Sequence, residues 1–227
     1  MTLQLHFTNC VKGYHLINSE PINETTWETI NEQVLTLSGY TVHHTSKGSH
    51  APGCDIQSSF GTLSNKSAKY DKLKTNFSIS SYRLTTVCSD KNCGNIQDIL
   101  LEINRRKNFQ FYSFLVRHEN QNETQNNDYD TILYHWYVIP ADHPSLDPLS
   151  YTWEPMLATR GHKNGTQTGW KTNSIDGHKM NITFSMSSQL WIHLSASSLS
   201  SFIVATVTTH KKNIINYSDV FTLFNKL

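Results

Sequence analysis

The 227-residue chain has little of what marks membrane, disulfide-rich or disordered proteins. Its 4 cysteines are too few for a disulfide scaffold in a chain of this length, which predicts reduced thiols. No window approaches the roughly 18 consecutive apolar residues of a membrane-spanning helix. Only 16% of the residues are charged, and the net charge is +1. This balance excludes charge-driven disorder, and it leaves any polyanion to be bound by a local patch rather than by the whole surface.

Residues 1–15 also lack the basic and apolar segments of a secretory signal, which predicts a cytoplasmic protein with no membrane association. Seven Asn-x-Ser/Thr triplets are instead typical of a glycoprotein, although about four are expected by chance in a chain this rich in Asn, Ser and Thr. The triplets begin at Asn23, Asn65, Asn76, Asn122, Asn164, Asn181 and Asn216. They leave open an alternative, a secreted or viral β-rich glycoprotein or carbohydrate-binding module without catalysis.

The hydrophobic pattern predicts a single domain over residues 1–227. Apolar residues from Trp27 to Leu37 recur at helical spacing after a cap at Asn23 or Thr25, and a second amphipathic helix is predicted in the window 94–109. Alternating segments predict a hairpin and further strands, with the last two long strands before Pro140 pairing antiparallel. The strand windows are 54–70, 76–87, 109–119, 131–140 and 178–194. We therefore expect an α+β or mixed α/β fold with a largely antiparallel central sheet and flanking helices.

The hairpin window places a carboxylate and an ammonium group together. Asp55 stands at the head of its first strand and Lys66 on its second, so both fall at one end of the sheet. An aspartate oxygen suits Mg²⁺, which takes one or two protein carboxylates plus waters and phosphate oxygens. A nearby lysine can orient or deprotonate the attacking water and offset charge on phosphorus. The pattern indicates Mg²⁺-dependent phosphodiester hydrolysis.

Asp55 and the run Ser64, Asn65, Lys66 resemble the PD-(D/E)xK nucleases, and among them the type II restriction endonucleases. The resemblance implies a restriction-endonuclease-like fold, Mg²⁺ as cofactor, and catalytic roles for Asp55, Ser64 and Lys66, with the Ser64 backbone carbonyl near the metal. The family usually has an acid two residues before the lysine, and this chain has Ser64 there.

The family sometimes recruits its second acidic metal ligand from elsewhere, such as a helix before the hairpin, and the resemblance implies the same here. Glu32 on the first predicted helix is the first candidate, Glu28 the second, and Glu102 on the second predicted helix the third. The metal ligands predicted from the resemblance are thus Asp55 and Glu32.

Double-stranded DNA is the partner that this reading implies. Residues 47–83 carry six cations and two anions, a net charge of +4 in a nearly neutral chain. The region around 141–179 is rich in Pro, Gly and Asp and is predicted to be a DNA-recognition loop region. The predicted DNA contacts are Asn65, Lys69, Arg83, Lys163, Asn164, Gln167, Lys171 and Asn173. A symmetric DNA site implies a homodimer, since each subunit reads one half-site.

Plainer interpretations stand beside these. Asp55 and Lys66 are also compatible with solvated charges at the ends of an ordinary hairpin, and the neighbouring lysines with a protected edge strand. A Cys₃His zinc site from His50, Cys54, Cys88 and Cys93 is sterically conceivable, with buried free thiols as its alternative. A protein that binds DNA without cutting it is a further possibility.

Overall fold

The computed structural model describes the chain in six ranges, which are 2–44, 53–120, 131–160, 164–185, 187–210 and 215–224. The helices in these ranges are α1 (Leu3–Ile17), α2 (Glu24–Leu37), α3 (Ile96–Arg106) and α4 (Tyr217–Phe224). The strands are β1 (Val42–His44), β2 (Ile56–Ser58), β3 (Gly61–Asp71), β4 (Asn76–Arg83), β5 (Phe111–Asn120), β6 (Thr131–Pro140), β7 (Trp153–Leu157), β8 (Gln167–Thr172), β9 (Lys179–Thr183), β10 (Gln189–Ser195) and β11 (Ile203–His210).

The strands form one large, mostly antiparallel sheet with two halves. The first half has the order β11-β6-β5-β3, with β2 and β1 following beside β3, and the second half has the order β4-β10-β9-β8-β7. β3 belongs to both halves, because it pairs in parallel with β5 over 63–69 and antiparallel with β4 at Tyr70 and Asp71. The expected mixed fold with a largely antiparallel sheet is thus confirmed, and the described ranges contain few helices.

The two halves of the sheet pack face to face around an inner cluster of apolar side chains. Phe77 of β4 lies 5.9 Å from Phe114 of β5 and 5.4 Å from Tyr137 of β6, measured between ring centroids. Helix α3 adds its apolar face to this cluster through Ile99 and Ile103. The inner cluster also includes Ala68, Ile79, Tyr82, Leu84, Cys88, Leu100, Phe109, Tyr112, Val116, Ile139, Ile182, Ile192 and Leu194.

A second, helix-covered cluster lies on the other face of the first half, under α1 and α2. Its centre is aromatic: Trp27 of α2 lies 5.4 Å from Trp136 of β6 and 6.0 Å from Phe7 of α1. Burial of such large side chains, roughly 25 cal/mol for each Å² of apolar surface, is what holds the two helices on the sheet. The remaining members include Val11, Ile22, Ile30, Val34, Leu35, Ile56, Leu63, Leu115, Ile132, Tyr134, Val138, Ala205 and Val207.

Helix α1 is also tied to the edge strand β11 by one side chain. The Gln4 amide donates to the Thr206 carbonyl oxygen at 2.8 Å and accepts from the Thr206 N–H at 2.9 Å. The side chain thereby makes the two hydrogen bonds that a neighbouring strand residue would make, at a place where β11 has β6 on one side only among the described strands.

Two features of this fold were not predicted from the sequence. Helix α1 was missed, since polar residues and Gly13 interrupt its apolar positions. The expected loop region around 141–179 was in part wrong, because β7 and β8 form an antiparallel hairpin there. Of the helices in the described ranges, none combines the length and the apolar character that a bilayer-spanning segment requires.

Candidate functional site at the open edge of β3

The candidate site lies where β3 has a strand neighbour on one edge only. β5 follows one edge of β3 over 63–69, whereas on the other edge the pairing within the described residues stops at Leu63 with β2 and resumes at Tyr70 with β4. Between these points Asp55 Oδ2 accepts from the Asn65 N–H at 2.6 Å, and Lys66 Nζ donates to the Asn65 carbonyl oxygen at 2.7 Å. Two charged side chains therefore satisfy the backbone N–H and carbonyl groups of Asn65 on the open edge.

Asp55 and Lys66 are held close together by the β2–β3 hairpin. The Asp55 N–H donates to the Leu63 carbonyl oxygen at 2.8 Å, which fixes the residue just before β2. Lys66 Nζ then lies 4.0 Å from Asp55 Oδ2, and the two side chains are 14% and 23% exposed. The structure brings together the pair that the sequence singled out, in a place that is shielded but still reachable from solvent.

Helix α2 supplies a third charged group, Glu24. Lys66 Nζ donates to Glu24 Oε1 at 2.8 Å. Asn23 caps the helix by accepting from the Thr26 N–H at 2.9 Å, so Glu24 is its first residue, where a carboxylate interacts favourably with the helix dipole. The sequence analysis missed Glu24, although the predicted cap at Asn23 already placed it next to the helix start.

The acids predicted as second metal ligands occupy other positions. Glu32 lies eight residues beyond Glu24, about 12 Å of helix rise, and its role as a ligand stays a prediction. Glu102 accepts from Arg105 and Arg106 on its own helix α3, and its pKa is lowered to about 2, chiefly by the hydrogen bond from Arg105. Glu24 is therefore the acid whose contact with the Asp55–Lys66 pair the structure records.

The charges of the site shift one another's protonation. Burial raises the pKa of Asp55, although Lys66, the Asn65 N–H and the Ser64 hydroxyl act in the opposite direction. Burial alone would lower the pKa of Lys66, but the nearby Glu24 and Asp55 outweigh it, and the net pKa is raised. Lys66 is thus a protonated hydrogen-bond donor in this arrangement and not a free base.

A buried amide network joins the site to α2. Asn31 Nδ2 donates to Asn65 Oδ1 at 2.6 Å and to Ser113 Oγ at 2.9 Å, and Trp136 Nε1 donates to the same Ser113 oxygen at 3.0 Å. Asn31 and Asn65 are both fully buried. The prediction that Asn65 contacts DNA is therefore wrong, and the folded chain does not offer this residue for glycosylation either.

The other predicted DNA contacts are spread over the surface. Lys69, on β3, is half-exposed and pairs with Glu119, and Arg83 is exposed at the end of β4. Lys171 and Gln167 lie on β8, the fourth strand from β3 in sheet order. Lys69 and Arg83 therefore lie on strands that do not pair with the strand of Lys171 and Gln167.

The segment around β8 also engages its polar side chains locally. Lys171 pairs with Glu154 at 3.2 Å, Gln167 donates to the Gly169 carbonyl oxygen, and the Asn173 side chain accepts from the Thr152 N–H. Asn164 is exposed in the turn before β8, and Lys163 lies outside the described residues.

The donor set at the open edge fits Mg²⁺ by its chemistry. Asp55 and Glu24 offer carboxylate oxygens, which are hard ligands, and a desolvated Asp55 carboxylate gains from a neighbouring cation. The described residues contain no group of three or more His, Cys, Asp or Glu side chains arranged around one point. Mg²⁺ requires only one or two protein carboxylates, with waters and phosphate oxygens as its other ligands.

The predicted zinc site is only partly within the described ranges. The four cysteines are free thiols, and burial raises the pKa of Cys88, with Cys93 close enough to add to the shift. Cys54 donates to the Ile56 carbonyl oxygen. His50, the fourth predicted ligand, lies outside the described residues, so the zinc site stays a prediction.

No protein-family model, curated protein or solved structure matches this chain. The chemistry of the site therefore has to be inferred from its own residues, of which Asp55, Lys66 and Glu24 form the charged centre.

Proposed function

We propose that the protein is a Mg²⁺-dependent endodeoxyribonuclease of the type II restriction kind, which hydrolyses phosphodiester bonds of double-stranded DNA in the cytoplasm. The observation that carries the proposal is the meeting of Asp55, Lys66 and Glu24 at the open edge of β3. Two carboxylates joined by one ammonium group, partly shielded from water, are a suitable environment for binding a metal together with a phosphate.

Each group has a distinct role in the proposed reaction. Asp55 and Glu24 would hold Mg²⁺, which when bound polarises the phosphate and orients water. Lys66 stays protonated between the two acids, so it offsets charge that develops on the phosphate oxygens and positions the attacking water by donating to it. The Ser64 hydroxyl bonds to Asp55 and keeps that carboxylate oriented.

DNA would approach along the half-exposed Lys69 and the exposed Arg83, which lie on the two strands beside the open edge. Contacts to phosphates from such cations position a duplex without reading its sequence. Cutting both strands of a symmetric site implies a homodimer, and this part of the proposal follows from the function.

The test is cleavage of phage DNA in Mg²⁺ and in EDTA, read on a gel. We expect discrete fragments that depend on Mg²⁺, and a loss of about 100-fold or more in Asp55→Asn and Lys66→Gln. Lys12→Gln is the matched control, because it removes an exposed lysine of α1 that belongs neither to the site nor to the predicted DNA contacts. Glu24→Gln and Glu32→Gln, compared side by side, identify the second acid.

Discrete fragments that persist in Asp55→Asn and Lys66→Gln would overturn the site but not the nuclease. A folded wild type that binds DNA in EDTA and never cuts it would point to a DNA-binding protein without catalysis. Intact, unbound DNA on several unmethylated substrates would contradict the proposal and favour the carbohydrate-binding alternative.

A further inference from the structure

Two histidines lie side by side on the face of the first half of the sheet that looks toward the second half. β5 and β6 pair antiparallel with Val116 opposite His135 and His118 opposite Leu133, so the two histidines are diagonal neighbours. Val116 belongs to the inner cluster, and the His135 ring contacts Tyr137 of that cluster, which places both imidazoles on its side. Their ring centroids are 4.6 Å apart, with the planes inclined by 55°.

A tyrosine on the next strand completes the row. Tyr70 of β3 lies beside His118 of β5, and the two ring centroids are 4.2 Å apart with planes inclined by 31°. The rings are therefore held in place by packing from both sides, His118 between Tyr70 and His135, and His135 between His118 and Tyr137. Rings that are fixed in this way present their nitrogens in a set direction.

Each of these histidines has a buried nitrogen without a hydrogen-bond partner among the described residues, Nε2 in His118 and Nδ1 in His135. Buried polar atoms in native proteins are nearly always hydrogen-bonded, so these two nitrogens call for an explanation. Other buried or half-buried histidines differ. His15 uses both nitrogens, with the Asn18 carbonyl and the Tyr134 hydroxyl, and His193 bonds to Ser78 and Asn181.

We propose that His118 Nε2 and His135 Nδ1 together bind a divalent transition-metal ion of the zinc, nickel or copper class, with water in its remaining positions. Imidazole nitrogen is a preferred ligand of these ions, at about 2.0–2.1 Å in the case of zinc, and diagonal pairs on antiparallel strands are within reach of one ion. The ion would give both nitrogens the partner that the described residues do not supply.

The proposed site is separate from the Asp55 site in position and in chemistry. Tyr70, next to His118, is four residues beyond Lys66 on β3, roughly 13 Å of strand rise. Nitrogen ligands favour transition metals, whereas the carboxylates at the open edge suit Mg²⁺. Failure of either proposal therefore leaves the other standing.

The test is metal binding by the full chain after metal removal, with Zn²⁺ in a calorimeter and Cu²⁺ by electron paramagnetic resonance at one equivalent. We expect one site per chain, copper splitting from two nitrogens in the wild type, and at least tenfold weaker zinc binding in His118→Gln and in His135→Gln. His193→Gln is the matched control, since it removes a half-buried histidine whose nitrogens are already bonded. Asp55→Asn should bind zinc as the wild type does.

Thermal unfolding of each variant without metal shows whether it is folded. The wild-type copper spectrum tests the pair even where a variant fails to fold. The proposal is overturned if no one-equivalent site exists, if the copper signal lacks two nitrogens, or if zinc affinity is unchanged in both His118→Gln and His135→Gln. It is equally overturned if His193→Gln or Asp55→Asn loses zinc to the same degree.

Discussion

The two faces of the first half of the sheet are packed in different ways. The inner cluster is filled by apolar and aromatic side chains, with Tyr82 and Tyr112 joining their hydroxyl groups at 3.2 Å. The helix-covered cluster instead contains a directional network, in which Asn31, Ser113 and Trp136 bond to one another between α2 and the sheet. Side-chain volume is the main constraint on the first face, whereas hydrogen bonds fix the register of α2 on the second. That register determines where Glu24 meets Lys66.

The largest effect is expected from the inner cluster. Phe114→Ala removes a fully buried ring that contacts Phe77 and Tyr112, so we expect unfolding free energy to fall by about 3–5 kcal/mol through lost burial and a new cavity. Urea denaturation measures the loss. Phe114→Leu keeps most of the volume and should cost clearly less. Equal costs for the two substitutions would mean that shape, and not volume, holds this face.

A smaller loss is expected when the hydrogen-bond network is broken. Asn31→Ala leaves Asn65 Oδ1 buried without this donor and removes one of the two donors to Ser113 Oγ, the other being Trp136 Nε1. We expect the free energy of unfolding to fall by about 1–3 kcal/mol. Thr29→Ala, on the exposed side of the same helix, should stay within about 0.5 kcal/mol. If the two variants unfold at the same urea concentration, the network does not stabilise α2, and the contrast between the faces is lost.

The smallest effect is a pH dependence at the edge of the inner cluster. Burial, with His135 and Lys72 adding to it, lowers the pKa of His118 to about 4 from an ordinary 6.5. Between pH 6.5 and 4, His118 is therefore protonated in the unfolded chain but largely neutral in the folded chain. The contribution of this pKa shift to the free energy of unfolding is fully present above pH 6.5 and is lost as the pH falls toward 4.

At pH 5 the loss should be about 1 kcal/mol, after allowance for solvent screening of a half-buried ring. Urea denaturation at pH 7.5 and pH 5, for the wild type and His118→Gln, measures it. The variant should lose less stability between these two pH values than the wild type. If His118→Gln loses as much stability as the wild type, the His118 ring is not the source of the pH dependence.

The elements that depend on local sequence were predictable. The cap at Asn23 and the apolar spacing after it gave α2, and alternation on both sides of a tight turn gave the β2–β3 hairpin. The proximity of Asp55 and Lys66 follows from that hairpin, so it could be predicted without knowledge of the rest of the fold.

The contacts that join distant segments were not predictable in this way. Lys66 meets Glu24 across 42 residues, and Asn31 meets Ser113 across 82, so no local period reports either pair. The strands β7 and β8 were not predicted, because their segments contain turn-forming residues. Pro155 is tolerated on the edge strand β7, and Gly169 of β8 is required because a Cβ there would lie 1.9 Å from the Ile182 carbonyl oxygen.

The two hydrogen bonds between Gln4 and Thr206 have a consequence for the order of folding. The two residues are 202 positions apart, so α1 leaves the ribosome long before the strand that receives it. An isolated helix of 15 residues is only marginally stable in water, and contacts between distant segments form slowly. The contact that fixes α1 at this edge of the sheet can therefore form only after β11, about 200 residues later in the chain, has been synthesised.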